Sequence, residues 1–394
     1  MKDYRILALL KELWRFLNPN ALEANQNYYI QLADYTDKDI IRNRELLDNW
    51  QRSEKSIDSM TWFIPMFYMV AAGVNNIFRF INFLSGKGVH INIVLMGTPV
   101  HAERCIRLIN DMTENQGQIK IFINTPVADL PYADAGVATM WYTAYGLLKY
   151  NNTKGKFYFI QDDERLIYPG GLEHSLAEST YRFGFTAITN AECLKEMYIT
   201  EFGGRAEHYF PAPDHLKIIA NVKSGKIKKI FFYARPEFDK CGFFLGMAGL
   251  REIKKRHPEV EIVTAGSAFK FNDYGLGIRQ LGKIPYDKLQ DFYSGCDAGI
   301  YILLSRHTGV IPFELMASGC AVLVNRNHYK QSYLQHMGNC IMFDLSPSAM
   351  ADAFDMLYSD EDACRKIKTN GLEFMRKMPS LDEELERMYI FMLK

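Results

Sequence analysis

Three consecutive acids, Asp162, Asp163 and Glu164, follow a short apolar run at residues 157–160. The run is typical of a buried strand, so the acids stand near its C-terminal end. At that place in an α/β protein, carboxylates can hold Mg²⁺ or Mn²⁺, accept a proton from a substrate, or cap the next helix. The residue types alone leave these three roles open.

A second group of reactive or polar residues lies between residues 297 and 325. A predicted buried strand ends in a polar loop, and the next helix has Pro312 near its first turn. Free amides at such a helix start, after a glycine bend, bind phosphate well. Glu314, one turn into the helix, would then point at a group behind the phosphates, such as a sugar hydroxyl. Its alternative role is that of a capping acid favoured by the helix dipole.

The composition is that of a globular protein, since 48% of the 394 residues are hydrophobic and 23% are charged. Forty-six basic residues balance 46 acidic residues, so the overall charge does not favour nucleic acid as a partner. Seven cysteines without a C-x-x-C pair favour a reducing compartment over a disulfide framework or a zinc site. We see neither a signal peptide nor an apolar run of about 18 residues, and therefore expect a cytoplasmic protein.

The first 17 residues have the periodicity of an amphipathic helix with several basic side chains. Such a helix can lie on an anionic membrane surface, which would make the protein peripheral to the inner face of the cell membrane. It can equally pack on its own domain or on the second subunit of a homodimer. The pattern leaves both interpretations open.

From about residue 57, short apolar strands alternate with amphipathic helices, which predicts an α/β fold with two doubly wound parallel sheets. The rhythm breaks near residues 213–228, a lysine-rich stretch typical of a linker. The predicted parts are a helical extension at 1–56, domains at 57–212 and 229–376 around that linker, and a C-terminal helix at 377–394. Residues 136–150 are predicted as one helix. Ligands of such sheets bind beyond the C-terminal ends of the strands, so we expect a cleft between the domains.

The segment PFELMASGCAVLVN, residues 312–325, resembles the donor-binding segment of family 4 glycosyltransferases. Those enzymes have the GT-B fold, in which two Rossmann-like domains face each other. Their pattern is an acid, seven residues, and then Glu-Ala-Met-Ala-x-Gly-x-Pro-Val. Glu314 matches the second acid of this pattern, whereas Arg306 occupies the place of the first.

From residue 60 onwards the chain is more similar to the WsaF-like rhamnosyltransferases of bacterial surface-glycan synthesis. The shared motifs, in order, are QDDERLIYPGG, AESTYRFGF, FFYARP and the turn Leu281-Gly282-Lys283. Asp163 and Arg165 depart from the pattern, because that family has tyrosine and proline at these places.

The resemblance implies that Arg235 and Lys283 bind the diphosphate of a nucleotide-sugar, and that Glu314 binds ribose or sugar hydroxyls. We expect Asp162 and Glu164 on the acceptor side, as binding groups or as the general base. Further donor-side candidates are Gly73, His307, Thr308, Gly309 and Val310, and further acceptor-side candidates are Tyr168, Glu173 and Arg182. The alternatives are a surface ion pair for Arg235, helix caps for the acids, and ordinary turn or packing roles for the rest.

The resemblance therefore implies a GT-B glycosyltransferase that moves L-rhamnose from dTDP-L-rhamnose to a growing glycan, free or lipid-linked. Cations and helix amides can neutralise the diphosphate, so we expect no metal and no other cofactor. Three alternatives stay open: a UDP- or GDP-sugar as donor, a catalytically inactive glycan-binding relative, and a nucleotide-sugar epimerase of the same fold.

Overall fold

The computed structural model describes residues 33–52, 56–67, 69–97, 102–168, 170–213, 216–223, 225–267, 269–327, 329 and 332–394. The predicted membrane-surface or dimer helix at residues 1–17 lies outside this part of the chain. Within the described residues, no helix is both long enough and apolar enough to cross a bilayer.

The N-terminal sheet has seven parallel strands in the order β3-β2-β1-β4-β5-β6-β7. Its strands are β1 (Ser59–Pro65), β2 (His90–Met96), β3 (Ile119–Ile123), β4 (Ala133–Ala138), β5 (Thr153–Ile160), β6 (Thr186–Thr189) and β7 (Ala206–His208). Its helices are α1 (Asp37–Arg52), α2 (Ala72–Gly86), α3 (Ala102–Met112), α4 (Trp141–Lys149), α5 (Leu172–Thr180) and α6 (Glu192–Phe202). The central strands are apolar and buried along most of their length, as expected for a parallel sheet covered on both faces.

The C-terminal sheet has six parallel strands in the order β10-β9-β8-β11-β12-β13. Its strands are β8 (Lys229–Ala234), β9 (Glu261–Gly266), β10 (Arg279–Gln280), β11 (Ala298–Tyr301), β12 (Ala321–Asn325) and β13 (Ile341–Phe343). The helices that follow in the chain are α7 (Phe243–Arg256), α8 (Leu289–Ser294), α9 (Ile311–Ala317), α10 (Pro347–Ser359), α11 (Glu361–Lys377) and α12 (Leu381–Met392).

The C-terminal helix α12 returns to the N-terminal domain. The amide of Phe210 donates to the Glu384 carboxylate at 2.7 Å, and the indole N–H of Trp50 donates to the carbonyl of Met392 at 2.9 Å. The segment between the two sheets runs along the C-terminal domain instead, where the amide of Ile219 donates to the carbonyl of Ala317. Helix α12 therefore links the two domains in addition to the chain segment that joins them.

The two doubly wound parallel sheets confirm the predicted α/β architecture. In each sheet the strand order reverses beside the first strand, between β1 and β4 and between β8 and β11. Such a reversal opens a crevice beyond the C-terminal ends of the strands, where ligands of this architecture bind.

The prediction of one helix over residues 136–150 was wrong in its first part. Residues up to Ala138 form the central strand β4, and the helix begins only at Trp141. The strand consists mostly of small residues because α4 packs tightly on it: a Cβ atom on Gly136 would lie 2.5 Å from Leu147 Cδ1. This packing removes the bulky alternation by which strands are recognised. The prediction also omitted α6 and β13.

Candidate active site

Asp162 lies where the two domains meet. It follows β5 by two residues and its side chain is buried. Its carboxylate accepts hydrogen bonds from two side chains of the C-terminal domain, Lys240 Nζ at 2.7 Å from Oδ2, and Ser305 Oγ at Oδ1. His307 Nε2 is 3.4 Å from Oδ2. The acid of one domain is therefore held by polar groups of the other.

The surroundings of Asp162 favour its charged form. Burial by itself would raise the pKa of Asp162, but the His307 ring and the Lys240 ammonium hold that pKa well below its ordinary value. The ring nitrogen Nδ1 of His307 accepts from the Gly309 amide at 3.1 Å. In the neutral ring the proton is then on Nε2, the nitrogen that faces Asp162. Loss of the Lys240 contact would make Asp162 a stronger base.

Glu164, the second acid expected on the acceptor side, accepts a hydrogen bond from the N-terminus of helix α4. Its Oε2 accepts from the amide of Trp141, the first residue of α4, at 2.5 Å. Burial raises the pKa of Glu164 to about 8, so the group carries a proton at neutral pH. This contact agrees with the helix-capping alternative.

Two cations stand on the loop that leaves β8. The Arg235 guanidinium binds Glu237 at 2.8 Å and the Tyr233 hydroxyl at 3.1 Å, and it lies over the ring of Phe238. Lys240 is five residues further on, in the short turn Asp239–Cys241 just before α7. Sequence reasoning missed Lys240, although a second cation on a loop between a strand and a helix was a usable signal.

The remaining donor-side candidates occupy several places. Lys283 is exposed, and its Nζ lies 3.1 Å from Met69 Sδ of the N-terminal domain. Glu314 is buried in the first turn of α9, where its Oε2 accepts from the Tyr293 hydroxyl at 2.8 Å. Thr308 is buried, and Val310 immediately precedes α9.

Two glycines near the crevice have different surroundings. Gly309 has φ 75°, and a Cβ atom there would lie 2.3 Å from the Tyr301 hydroxyl oxygen, so the position requires glycine. Gly73 is in the first turn of α2, where its carbonyl accepts from Gln161 Nε2 at 2.9 Å. Because Gln161 precedes Asp162, Gly73 lies beside the crevice acid.

The acceptor-side candidates make their contacts inside the N-terminal domain. The Tyr168 hydroxyl accepts from the indole N–H of Trp141 at 3.0 Å. Arg182 is exposed, binds Glu178 at 2.6 Å, and lies over the ring of Phe202. Glu173 is partly exposed in the first turn of α5. The contacts of Tyr168 and Arg182 are those that the packing alternative predicts.

A cavity of about 230 Å³ opens at the ends of β8, β9 and β10. Its lining includes Ala234, Thr264, Phe269, Gln280 and Gly282. Thr264 Oγ1 is buried with no hydrogen-bond partner among the described residues. The cavity therefore combines apolar walls with an unpaired hydroxyl and lies next to the loop of Arg235, a combination suited to a ring with polar edges.

Within the described residues, no three His, Cys, Asp or Glu side chains are grouped so that they could hold a metal ion. The carboxylates of Asp162 and Asp163 instead contact cationic side chains: Lys240 for the first, Arg165 and Arg306 for the second.

Residues 228–355 match the model of the family described as WsaF, C-terminal domain. Over 345 residues the chain is 30% identical to the O-antigen biosynthesis protein RfbC of Myxococcus xanthus. That alignment covers 85% of this chain and 27% of RfbC, so the chain spans about a quarter of that relative's length.

Solved structures with the same architecture include sucrose-phosphate synthase of Thermosynechococcus elongatus, at a TM-score of 0.65 and 12% identity, covering 85% of this chain and 98% of that one. Anabaena HepE in complex with UDP-glucose matches with a TM-score of 0.64 and 13% sequence identity, and the match covers 84% of this chain and 98% of HepE. A mutant of S. aureus TarM in complex with UDP and other ligands matches with a TM-score of 0.64 and 8% sequence identity, and the match covers 86% of this chain and 100% of TarM. The predicted resemblance is thereby confirmed: the chain has the GT-B fold, and its residues 228–355 match the WsaF C-terminal domain model.

Proposed function

We propose that this protein is a glycosyltransferase that uses a nucleoside diphosphate sugar in the synthesis of a bacterial surface polysaccharide. The observation that carries the proposal is the pair Asp162 and Lys240. A carboxylate at the strand ends of one domain faces a cation at the strand ends of the other. The match to the WsaF family and the name of the Myxococcus relative support the same activity.

The donor binds to the C-terminal domain in this proposal. Arg235 and Lys240 lie on one loop and contact the diphosphate, and the nucleobase occupies the cavity beside Ala234. Charged hydrogen bonds from these two cations also stabilise the diphosphate as it leaves. Glu314 contacts ribose or sugar hydroxyls. The donor-side assignments of Lys283, Gly73 and the loop at 307–310 are part of the same proposal.

The acceptor, a free or lipid-linked glycan, binds to the N-terminal domain, with Asp162 as the general base for its hydroxyl. In the structure Lys240 pairs with Asp162. Diphosphate oxygens compete with Asp162 for the same ammonium, because the two anions attract one cation at hydrogen-bond distance. Donor binding then raises the pKa of Asp162 towards its ordinary value and prepares it to take a proton.

We further propose dTDP-L-rhamnose as the donor, supported by the resemblance to WsaF-like rhamnosyltransferases. A thermal-shift panel of dTDP, UDP and GDP with their sugars tests this, since a ligand that binds only the folded state raises its stability. The dTDP compounds should give the largest shifts, and labelled rhamnose should pass to a glycan acceptor.

Other outcomes of the same experiments select the alternatives. A larger shift with UDP or GDP compounds would change the donor. Binding without turnover of any donor would make the protein an inactive glycan-binding relative, and breakdown of the donor without acceptor would favour an epimerase.

A further inference from the structure

A second set of charges crosses the crevice beside Asp162 and has no part in the transfer chemistry described above. Asp163 is 0% exposed, and its two carboxylate oxygens accept from Arg165 Nε and Nη2, both at 2.8 Å. Arg165 Nη2 also donates to Glu201 at 2.9 Å. These three residues all belong to the N-terminal domain.

Arg306 of the C-terminal domain joins this group. Its Nε lies 3.2 Å from Asp163 Oδ2, and its Nη1 donates to Glu201. Its backbone carbonyl accepts from the thiol of Cys193, in helix α6 of the N-terminal domain. Side chain and backbone of one residue therefore both bind across the crevice.

The charges of this group balance only when the domains are together. The N-terminal part has two carboxylates, Asp163 and Glu201, and one guanidinium, Arg165, which leaves one negative charge unpaired. Arg306 supplies the missing positive charge. Since Asp163 is buried, separation of the domains would leave its carboxylate with fewer compensating charges, which is unfavourable.

The sequence pattern points to the same group. Relative to the glycosyltransferase patterns it resembles, the chain has Asp163 for tyrosine, Arg165 for proline and Arg306 for an acid. In the structure both arginines contact Asp163 directly. The position that supplies an acid in the usual pattern supplies an interdomain cation here.

We propose that Arg306 is a positioning residue that clamps the two domains through Asp163 and Glu201. The clamp holds the loop that contains Ser305 and His307, its immediate neighbours, against Asp162. Lys240 would be drawn away from Asp162 by a diphosphate, whereas the partners of Arg306 are acids of the N-terminal domain and are unaffected by such a ligand. The clamp therefore keeps the domains together while Lys240 changes partner.

Spin labels in the two domains can test the clamp by double electron–electron resonance. Glu103 and Asp362 have side chains that are 94% and 84% exposed, and the variants Glu103→Cys and Asp362→Cys accept labels selectively because the seven native cysteines are buried. We expect Arg306→Gln to raise the open population about tenfold, the ratio that ~1.4 kcal/mol of lost interaction produces. Arg306→Lys should restore part of the closed population.

Two further variants are matched controls. Arg256 also binds two carboxylates, Asp352 and Asp355, but all three lie in the C-terminal domain, so Arg256→Gln should leave the distances unchanged. Glu201→Gln changes a partly exposed side chain and should open the domains less than Arg306→Gln. If the two act through one contact, Glu201→Gln should add nothing in the Arg306→Gln background.

The positioning role of Arg306 is tested by measuring kcat, and this test rests on the proposed function. Arg306→Gln should lower kcat while calorimetry shows no loss of dTDP affinity, because Arg235 and Lys240 are intact. A wild-type distance distribution in Arg306→Gln overturns the clamp, and an open distribution with wild-type kcat overturns the positioning role. Failure of the proposed function would appear differently, as absent turnover in the wild-type protein.

Discussion

The two domains present equivalent sheet edges to each other but place opposite charges on them. Both sheets are parallel, and in both the strand order reverses beside the first strand. The N-terminal edge ends in Asp162, whereas the C-terminal edge has Arg235 and Lys240 on the loop after β8. The same architecture therefore has a carboxylate at one edge, which is suited to accept a proton, and two cations at the other edge, which are suited to bind phosphate.

In the proposed function, the residues just beyond the strands, and not the sheets, give the two domains their different roles. The two edges also depend on each other, because groups of the C-terminal domain lower the pKa of Asp162 at the N-terminal edge. Variants at one edge should therefore change the other in a defined direction.

The largest effect should come from Asp162→Asn. This change keeps the size of the side chain and removes its negative charge, so turnover should fall about 10²–10⁴-fold, the usual contribution of a general base. The measurement is kcat at saturating donor and acceptor. Asp134→Asn is the matched control, since Asp134 lies at the opposite end of the same sheet, where it accepts from the Ser59 amide. Equal turnover in the two variants would remove Asp162 from catalysis.

Glu164→Gln should stabilise the protein at high pH. In the folded protein the pKa of Glu164 is about 8, whereas the ordinary pKa of a glutamate is 4.5. Between these values the unfolded chain binds fewer protons than the folded one, so this group makes the protein less stable as pH rises, with the full cost present above pH 8.

Glutamine cannot ionise, so the free energy of unfolding of the variant should equal that of the wild type near pH 4.5. By pH 8 it should exceed that of the wild type by on the order of 2–4 kcal/mol, since one pKa unit corresponds to about 1.4 kcal/mol. Urea unfolding at several pH values measures the difference. A difference that does not change with pH would mean that Glu164 is not a buried neutral acid.

At the cationic edge, Arg235→Ala and Lys240→Ala should each weaken dTDP binding by about 1.5–3 kcal/mol, the worth of a charged hydrogen bond. Calorimetry provides the affinities. Lys288→Ala is the control, because Lys288 is an exposed lysine of the same domain paired with Asp287. Wild-type affinity in both site variants would move the diphosphate elsewhere.

The smallest effect is expected from chelation. In the proposed function Arg235 and Lys240 supply the positive charge that a metal would otherwise bring to the diphosphate, so EDTA should leave the turnover rate unchanged. Loss of turnover with recovery on addition of Mn²⁺ would instead assign the acids at 162 and 163 to a metal.

Much of the fold was predictable because most strands are apolar runs bounded by polar turns. Strand β4 was not, because its small residues are selected by the close approach of α4 at Gly136. Because α4 lies so close, the strand has no room at that position for the bulky β-branched residues on which strand prediction depends.

Candidate site residues could be selected from the sequence where the position of a single residue was informative. Asp162, Arg235 and Glu314 could be selected because each lies just beyond a strand or at a helix start. Lys240 has a comparable position between β8 and α7, but its importance becomes visible only through its contact with Asp162, 78 residues earlier in the chain. The contact of Arg306 with Glu201 spans 105 residues and likewise follows from the fold rather than from a local pattern.

Competition between Asp162 and the donor diphosphate for Lys240 can be measured by calorimetric titration of dTDP into Asp162→Asn. Without the competing carboxylate, Lys240 is available, so the variant should bind dTDP at least as tightly as the wild type. In the same assay Lys240→Ala should bind about tenfold more weakly or worse. An Asp162→Asn variant whose dTDP affinity falls as far as that of Lys240→Ala would rule out this competition and place Asp162 on the nucleotide side.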